Sequence, residues 1–145
     1  MTPEVQAADS STLLGTWKTQ RAFAAKGERH EETEILRFNP GSFRMQLFTT
    51  IRKGPFLVKN LRIEATGIWK RRDRILVLML QQIRFTGVDE TRGINQASFN
   101  TLVRQLRGRY LSDPIRILSV QALSEDVLSL DNGDGAVKDY KRTAQ

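Results

Sequence analysis

The chain has 145 residues, 39% hydrophobic and 27% charged, the size and mix of one globular domain with a single core. It contains no cysteine, which excludes disulfides, thiolate zinc sites and cysteine nucleophiles but leaves the compartment open. A net charge of +7 makes the surface basic, and no apolar run approaches the roughly 18 to 20 residues that a membrane-spanning helix needs.

Residues 1–11 are polar and small, and read as a flexible N-terminus preceding a single domain over 12–145. Val5-Gln6-Ala7 has the small-x-Ala look of a signal-peptidase site without the charged and apolar regions that precede one. Localisation therefore stays open between a periplasmic or secreted protein with its signal removed and a cytoplasmic one.

From Thr12 to Phe23 the chain alternates, with Gly15, Trp17 and Thr19 on one parity and Thr16, Lys18 and Gln20 on the other, which predicts a half-buried first strand. Ala24 to Glu31, with Gly27 and several charges, reads as a loop holding His30. That histidine has no second ligand at metal spacing and reads as solvated, so no metal or cofactor is implied. Thr33 to Phe38 resumes the alternation, and Asn39-Pro40-Gly41 supplies turn chemistry. A third strand follows with Phe43, Met45, Leu47, Thr49 and Ile51 on one face, closed by Lys53-Gly54-Pro55.

Leu57 to Trp69 repeats the scheme with Leu61, Ile63, Ala65, Gly67 and Trp69 together. Small residues inside a strand mark a bend or a close approach, and Ala65 and Gly67 are expected to leave space in the interior. After the turn at Arg71-Arg72-Asp73, Ile75 to Leu80 is apolar on both parities, so both of its faces should be covered. The cover expected is a helix over Asn95 to Arg107, on which Phe99, Leu102, Val103, Leu106 and Tyr110 form one stripe, capped by Asn95 and ended by Gly108. Ile115 to Leu123, Val127 to Leu130 and, past a hairpin at Asn132-Gly133-Asp134-Gly135, Ala136 to Thr143 complete the set. The count predicts an all-β fold: an eight-stranded antiparallel up-and-down barrel with one α-helix inserted between strands 5 and 6.

Gly15-x-Trp17, the second Gly67-x-Trp69 strand and the ending Tyr140-Lys141-Arg142 resemble the lipocalin-like, or calycin, group of β-barrel proteins over nearly the whole chain. The resemblance implies that Trp17 sits at the closed end of the barrel with Arg142 of the last strand across it. Gly15, Trp17 and Arg142 would thus close the structure, a guanidinium on an indole face gaining roughly 0.5 to 2 kcal/mol. The chain departs from secreted lipocalins in lacking their disulfide, in its basicity and in having its helix before the sixth strand. These departures favour a small lipocalin-like bacterial domain. Fatty-acid-binding proteins share a Gly-Thr-Trp-Lys opening but place a helical pair where this chain has Ala24 to Glu31, so that branch ranks lower.

Such a barrel implies non-catalytic binding of a small, largely apolar ligand, as carrier or sensor, with Phe38, Phe43, Met45, Leu47, Leu61, Ile63, Trp69 and Tyr140 lining the interior. Trp17, Leu36, Leu128 and Leu130 complete the inward set. A basic interaction module is the alternative. Lys70, Arg71, Arg72 and Arg74 at one hairpin and Arg104, Arg107 and Arg109 on or after the helix would attract an acidic protein, an anionic membrane surface or nucleic acid. Nucleic acid is disfavoured because that turn lacks interleaved aromatics. A cyclase or isomerase is the third class, with Glu64, Asp139, Tyr140 and Arg142 as its polar candidates. Glu64 and Asp139 fall on the solvent parity, however, and no nucleophile and base stand at a readable spacing.

Overall fold

A computed structural model describes residues 12–133 and 136–143. The flexible-terminus reading of residues 1–11 and the centre of the last hairpin, Asp134-Gly135, lie outside the described residues. The strands are β1 (Gly15–Ala25), β2 (Glu28–Asn39), β3 (Ser42–Lys53), β4 (Phe56–Arg72), β5 (Ile75–Gly87), β6 (Glu90–Arg92), β7 (Ile115–Leu123), β8 (Val127–Asp131) and β9 (Val137–Arg142), and helix α1 (Gln96–Ser112) precedes β7. Neighbouring strands pair antiparallel in the ring β1-β2-β3-β4-β5-β7-β8-β9, and β9 returns to β1, so eight long strands close a barrel. The three-residue β6 adds to the start of β4 outside that ring. No described helix is long and apolar enough to cross a membrane.

Alternation carries the fold. Trp17, Leu36, Phe38, Phe43, Met45, Ala65, Leu76, Leu78, Leu128 and Tyr140 point inward from seven strands and form one continuous core. The chain ends of those strands divide the barrel into a closed end, where β1 begins and β9 finishes, and an open end beneath α1.

Three local expectations are overturned. Ala24 to Glu31 is no loop: β1 runs to Ala25, β2 starts at Glu28, and only Lys26 (φ 54°) and Gly27 (φ 77°) turn between them. Two successive left-handed residues form the tight hairpin turn that matches strand twist, and glycine at the second makes it affordable. His30 is consequently a strand residue, half-buried, stacked on Phe23 with ring centroids 4.8 Å apart and 3.0 Å from a Glu28 carboxylate oxygen.

Helix α1 begins as expected, the Asn95 side chain accepting from the Ser98 amide at 2.8 Å. It does not stop at Gly108 but continues to Ser112, where Asp113-Pro114 ends it. Nor does it cover the outer face of β5. Phe99 packs on Val58 and Leu61 and edge-on against Phe85 at 5.8 Å, all at the open end, while Ile75 and Met79 stay exposed on the outside.

Candidate functional site

At the closed end, Trp17 is fully buried and donates its indole N–H to the Leu13 carbonyl at 2.8 Å. The Arg142 guanidinium lies 4.2 Å from the centre of its ring. Arg142 also donates to the carbonyls of Leu14 (2.7 Å), Thr12 and Glu125, tying the last strand to the segment before the first. Gly15 makes room for it: φ is +119°, and a Cβ there would stand 2.5 Å from Arg142 Nη1.

Phe38, Phe43, Met45 and Trp69 fill the space above this floor. Phe38 meets Trp69 edge-on at 5.4 Å, and the Trp69 indole donates to the Asn39 carbonyl at 2.7 Å. Gly67 does not leave a void, since a Cβ on it would fall 1.9 Å from the Met79 carbonyl oxygen and 2.8 Å from the Phe43 ring. Close approach is thus why β4 is small at that position. Leu61 and Ile63 lie beneath α1, where the remaining gap of about 10 Å³ is at most water-sized.

The open half of the lumen is different. A cavity of about 290 Å³ is bounded by β1, β2, β3, β5, β7, β8, β9 and the last turn of α1. Leu36, Leu47, Leu78, Leu118 and Leu130 give it apolar walls, and Arg21, Glu32, Glu34, Tyr110, Arg116, Lys138 and Tyr140 give it polar groups. Of the eight residues expected to line the interior, it brings together Leu47 and Tyr140; the other six lie in the packed floor or under the helix.

Its most buried charged group is Glu34. One carboxylate oxygen accepts from Lys138 Nζ at 3.0 Å and the other from the Tyr140 hydroxyl, so the buried acid is fully partnered. Burial, together with the adjacent Glu34 charge, pushes the Tyr140 phenol well above its ordinary range, keeping it a neutral donor. Nearer the rim Arg21 pairs with Glu32 at 2.9 Å. Arg116 is placed otherwise: its guanidinium lies 4.9 Å over the Tyr110 ring, and no carboxylate pairs with it among the described residues.

Sequence reading missed Glu34, Arg21, Glu32, Arg116 and Lys138. Each lies on the inward parity of its strand: 17, 19, 21 on β1; 32, 34, 36 on β2; 116, 118, 120 on β7; 138, 140, 142 on β9. Extending the alternation past its apolar members finds them all.

The basic residues divide between opposite ends. Lys70, Arg71, Arg72 and Arg74 surround the β4–β5 hairpin at the closed end, whereas Arg104 and Arg107 are on α1 at the open end. Trp69, beside the first group, is half-buried with its indole N–H satisfied, which leaves that hairpin without a free stacking platform. Glu64 lies on the outer face between Arg44 (3.5 Å) and Arg84 (2.7 Å), and Asp139 accepts from Ser129 Oγ at 2.5 Å, also outside. No metal-ligating cluster occurs among the described residues.

No protein-family model matches the chain, and no curated protein matches it. Its fold is similar to that of an uncharacterized protein of Bacteroides eggerthii, with TM-score 0.54 and 17% identity over 90% of this chain and 99% of the other. It is also similar to a lipocalin-like protein of Bacteroides uniformis, with TM-score 0.50 and 15% identity over 91% of this chain and 99% of that one. With the closed eight-stranded ring, these likenesses make the fold lipocalin-like.

Proposed function

We propose that this lipocalin-like barrel is a non-catalytic binder that holds one small, largely apolar ligand in the open half of its lumen. The observation that carries the reading is the cavity of about 290 Å³ with five leucines in its walls and a few converging polar groups, at the small end of the range for ligand sites. The pairing of Glu34 with Lys138 and Tyr140 supports binding over chemistry, because each oxygen of this buried acid already accepts a hydrogen bond. Arg116, set over the Tyr110 ring with no carboxylate paired to it among the described residues, suits a ligand whose polar end is an anion or a strong acceptor.

Anilinonaphthalene sulfonate, an apolar body with one anionic group, is the matching probe. Its fluorescence should rise on binding with micromolar affinity. Leu130→Trp, which fills the cavity, should abolish the rise. Arg116→Met should weaken it about tenfold, the loss expected for one charged hydrogen bond. A natively folded protein that takes up no probe at micromolar concentration, or one indifferent to Leu130→Trp, refutes the reading.

A further inference from the structure

The double-sided apolar pattern of Ile75 to Leu80 has no cover from α1, and the outer barrel face shows the consequence. Strand pairing sets Ile68 beside Met79 and Met79 beside Ile115 in one row, and Val77 beside Ile117 in the next, with Ile75 completing the patch on β5. Ile117 is 63% exposed, Ile115 48% and Ile75 46%. Single exposed isoleucines are ordinary on a protein surface, but six adjoining apolar residues on three neighbouring strands mark an interaction surface.

Charges frame that patch asymmetrically. Register places Arg72, Ile75, Ser119 and Asp131 in one row across β4, β5, β7 and β8, a cation at one end and a carboxylate at the other. Lys70 adds a second cation on the β4 side, next to Val77. The Gly133 amide donates to Asp131 Oδ1 at 2.8 Å and fixes that carboxylate at its flank. An anionic lipid surface or an acidic protein would be attracted by one flank and repelled by the other. A surface carrying the same pattern in reverse order satisfies both.

We propose that this face joins two copies of the chain. A two-fold axis between β5 and β7, parallel to the strands, lays β4 of one copy over β8 of the other. Arg72 then faces the partner's Asp131, Val77 faces the partner's Ile117, and Met79 faces the partner's Ile115. Apolar residues form the centre and ion pairs the rim, the usual anatomy of a specific interface. The open end of the barrel stays clear, so dimerisation and ligand uptake are independent.

Sedimentation velocity and light scattering over a concentration series to about 100 µM provide the test, the mass rising to twice the 16.6 kDa of the chain. Ile117→Lys should raise the dimer dissociation constant roughly 30-fold or more, as expected for a central contact. Because that side chain is in solvent in the single chain, circular dichroism should be unchanged. Arg72→Asp should weaken the dimer, and adding Asp131→Lys should restore it, a rescue that the proposed two-fold demands. A wild-type monomer throughout the series, a dimer indifferent to Ile117→Lys, or loss of phosphatidylglycerol-vesicle binding in that variant without any dimer would each overturn the proposal.

Discussion

Replacing Arg142 by methionine keeps the length and much of the apolar packing of the side chain while deleting its charge and donors. Two of the three carbonyls it serves, those of Leu14 and Thr12, are in part-buried contacts and would be left without that donor, at about 1 to 3 kcal/mol each; the third, of Glu125, is exposed and turns to water at little cost. Loss of the stack on Trp17 adds roughly 0.5 to 2 kcal/mol. Mid-range values sum to about 5 kcal/mol, a large share of the 5 to 15 kcal/mol typical of a domain. In a chain of this size that lowers Tm by about 15 to 20 °C. Thermal and urea unfolding followed by far-ultraviolet circular dichroism measure the loss. Arg142→Lys should recover less than half of it, because one ammonium cannot serve three carbonyls in a fork geometry. A fall in Tm under about 3 °C for Arg142→Met would show that the floor is held by packing alone and refute the reasoning.

The lid and the lumen make separate predictions. Phe99→Ala removes a buried ring from contact with Val58, Leu61 and Phe85, at about 3 kcal/mol; amide exchange should accelerate through 96–112 while the barrel strands keep their protection, and uniform acceleration would mean that helix and barrel open together. Both tyrosines of the chain are shifted upward, Tyr110 by burial and Tyr140 more strongly by burial and the neighbouring Glu34 charge. A folded-state pKa above the unfolded value of about 10 contributes stability that is fully present below pH 10 and lost as pH rises through the folded value. Tyrosinate absorbance of the folded protein should therefore appear only above that pH, while the urea-unfolded chain titrates near it, and Tyr140→Phe should flatten the alkaline loss of stability. A folded-state transition centred at 10 would refute the buried placement of both phenols.

The legible parts of the sequence were those where the period of two ran through apolar residues. Leu36, Phe38, Phe43, Met45 and Leu61 reveal their strands because alternation of burial coincides with alternation of hydrophobicity. The signal fails where the inner face turns polar. Thr19, Arg21 and Phe23 of β1 pair with Glu34, Glu32 and His30 of β2, an inward face that in sequence looks like solvent. Reading 24–31 as a loop follows directly from that disguise, and with it the polar half of the cavity disappears. The apolar outer face of β5 misleads in the opposite sense, because hydrophobicity on both parities calls for cover without saying whether the cover comes from the same chain.

The position of the lid has its own cause, legible only in the register. Between Leu80↔Gly67 and Gln82↔Thr66 the pairing of β5 with β4 shifts by one residue, so the inward set changes from Leu76, Leu78 and Leu80 to Ile83 and Phe85. On β3 and β4 the pairing shifts again between Thr49↔Leu61 and Ile51↔Val58, with Asn60 at φ 51°. The first lies at mid-strand on β5 and the second near the open end of β4, and each keeps apolar residues on the inner side as the strands bend. Together they make a seat of Val58, Leu61, Ile83 and Phe85 that the Phe99 to Leu106 stripe of α1 covers. The seat draws the helix over the β4–β5 side of the rim, so the lumen stays open on the opposite side, where β1, β2 and β7 to β9 carry the inward charges. Arg21, Glu32 and Arg116 would be the first groups that a ligand of the proposed kind meets there, ahead of the leucines. Bulge placement thus decides which half of the barrel is packed core and which half keeps a cavity.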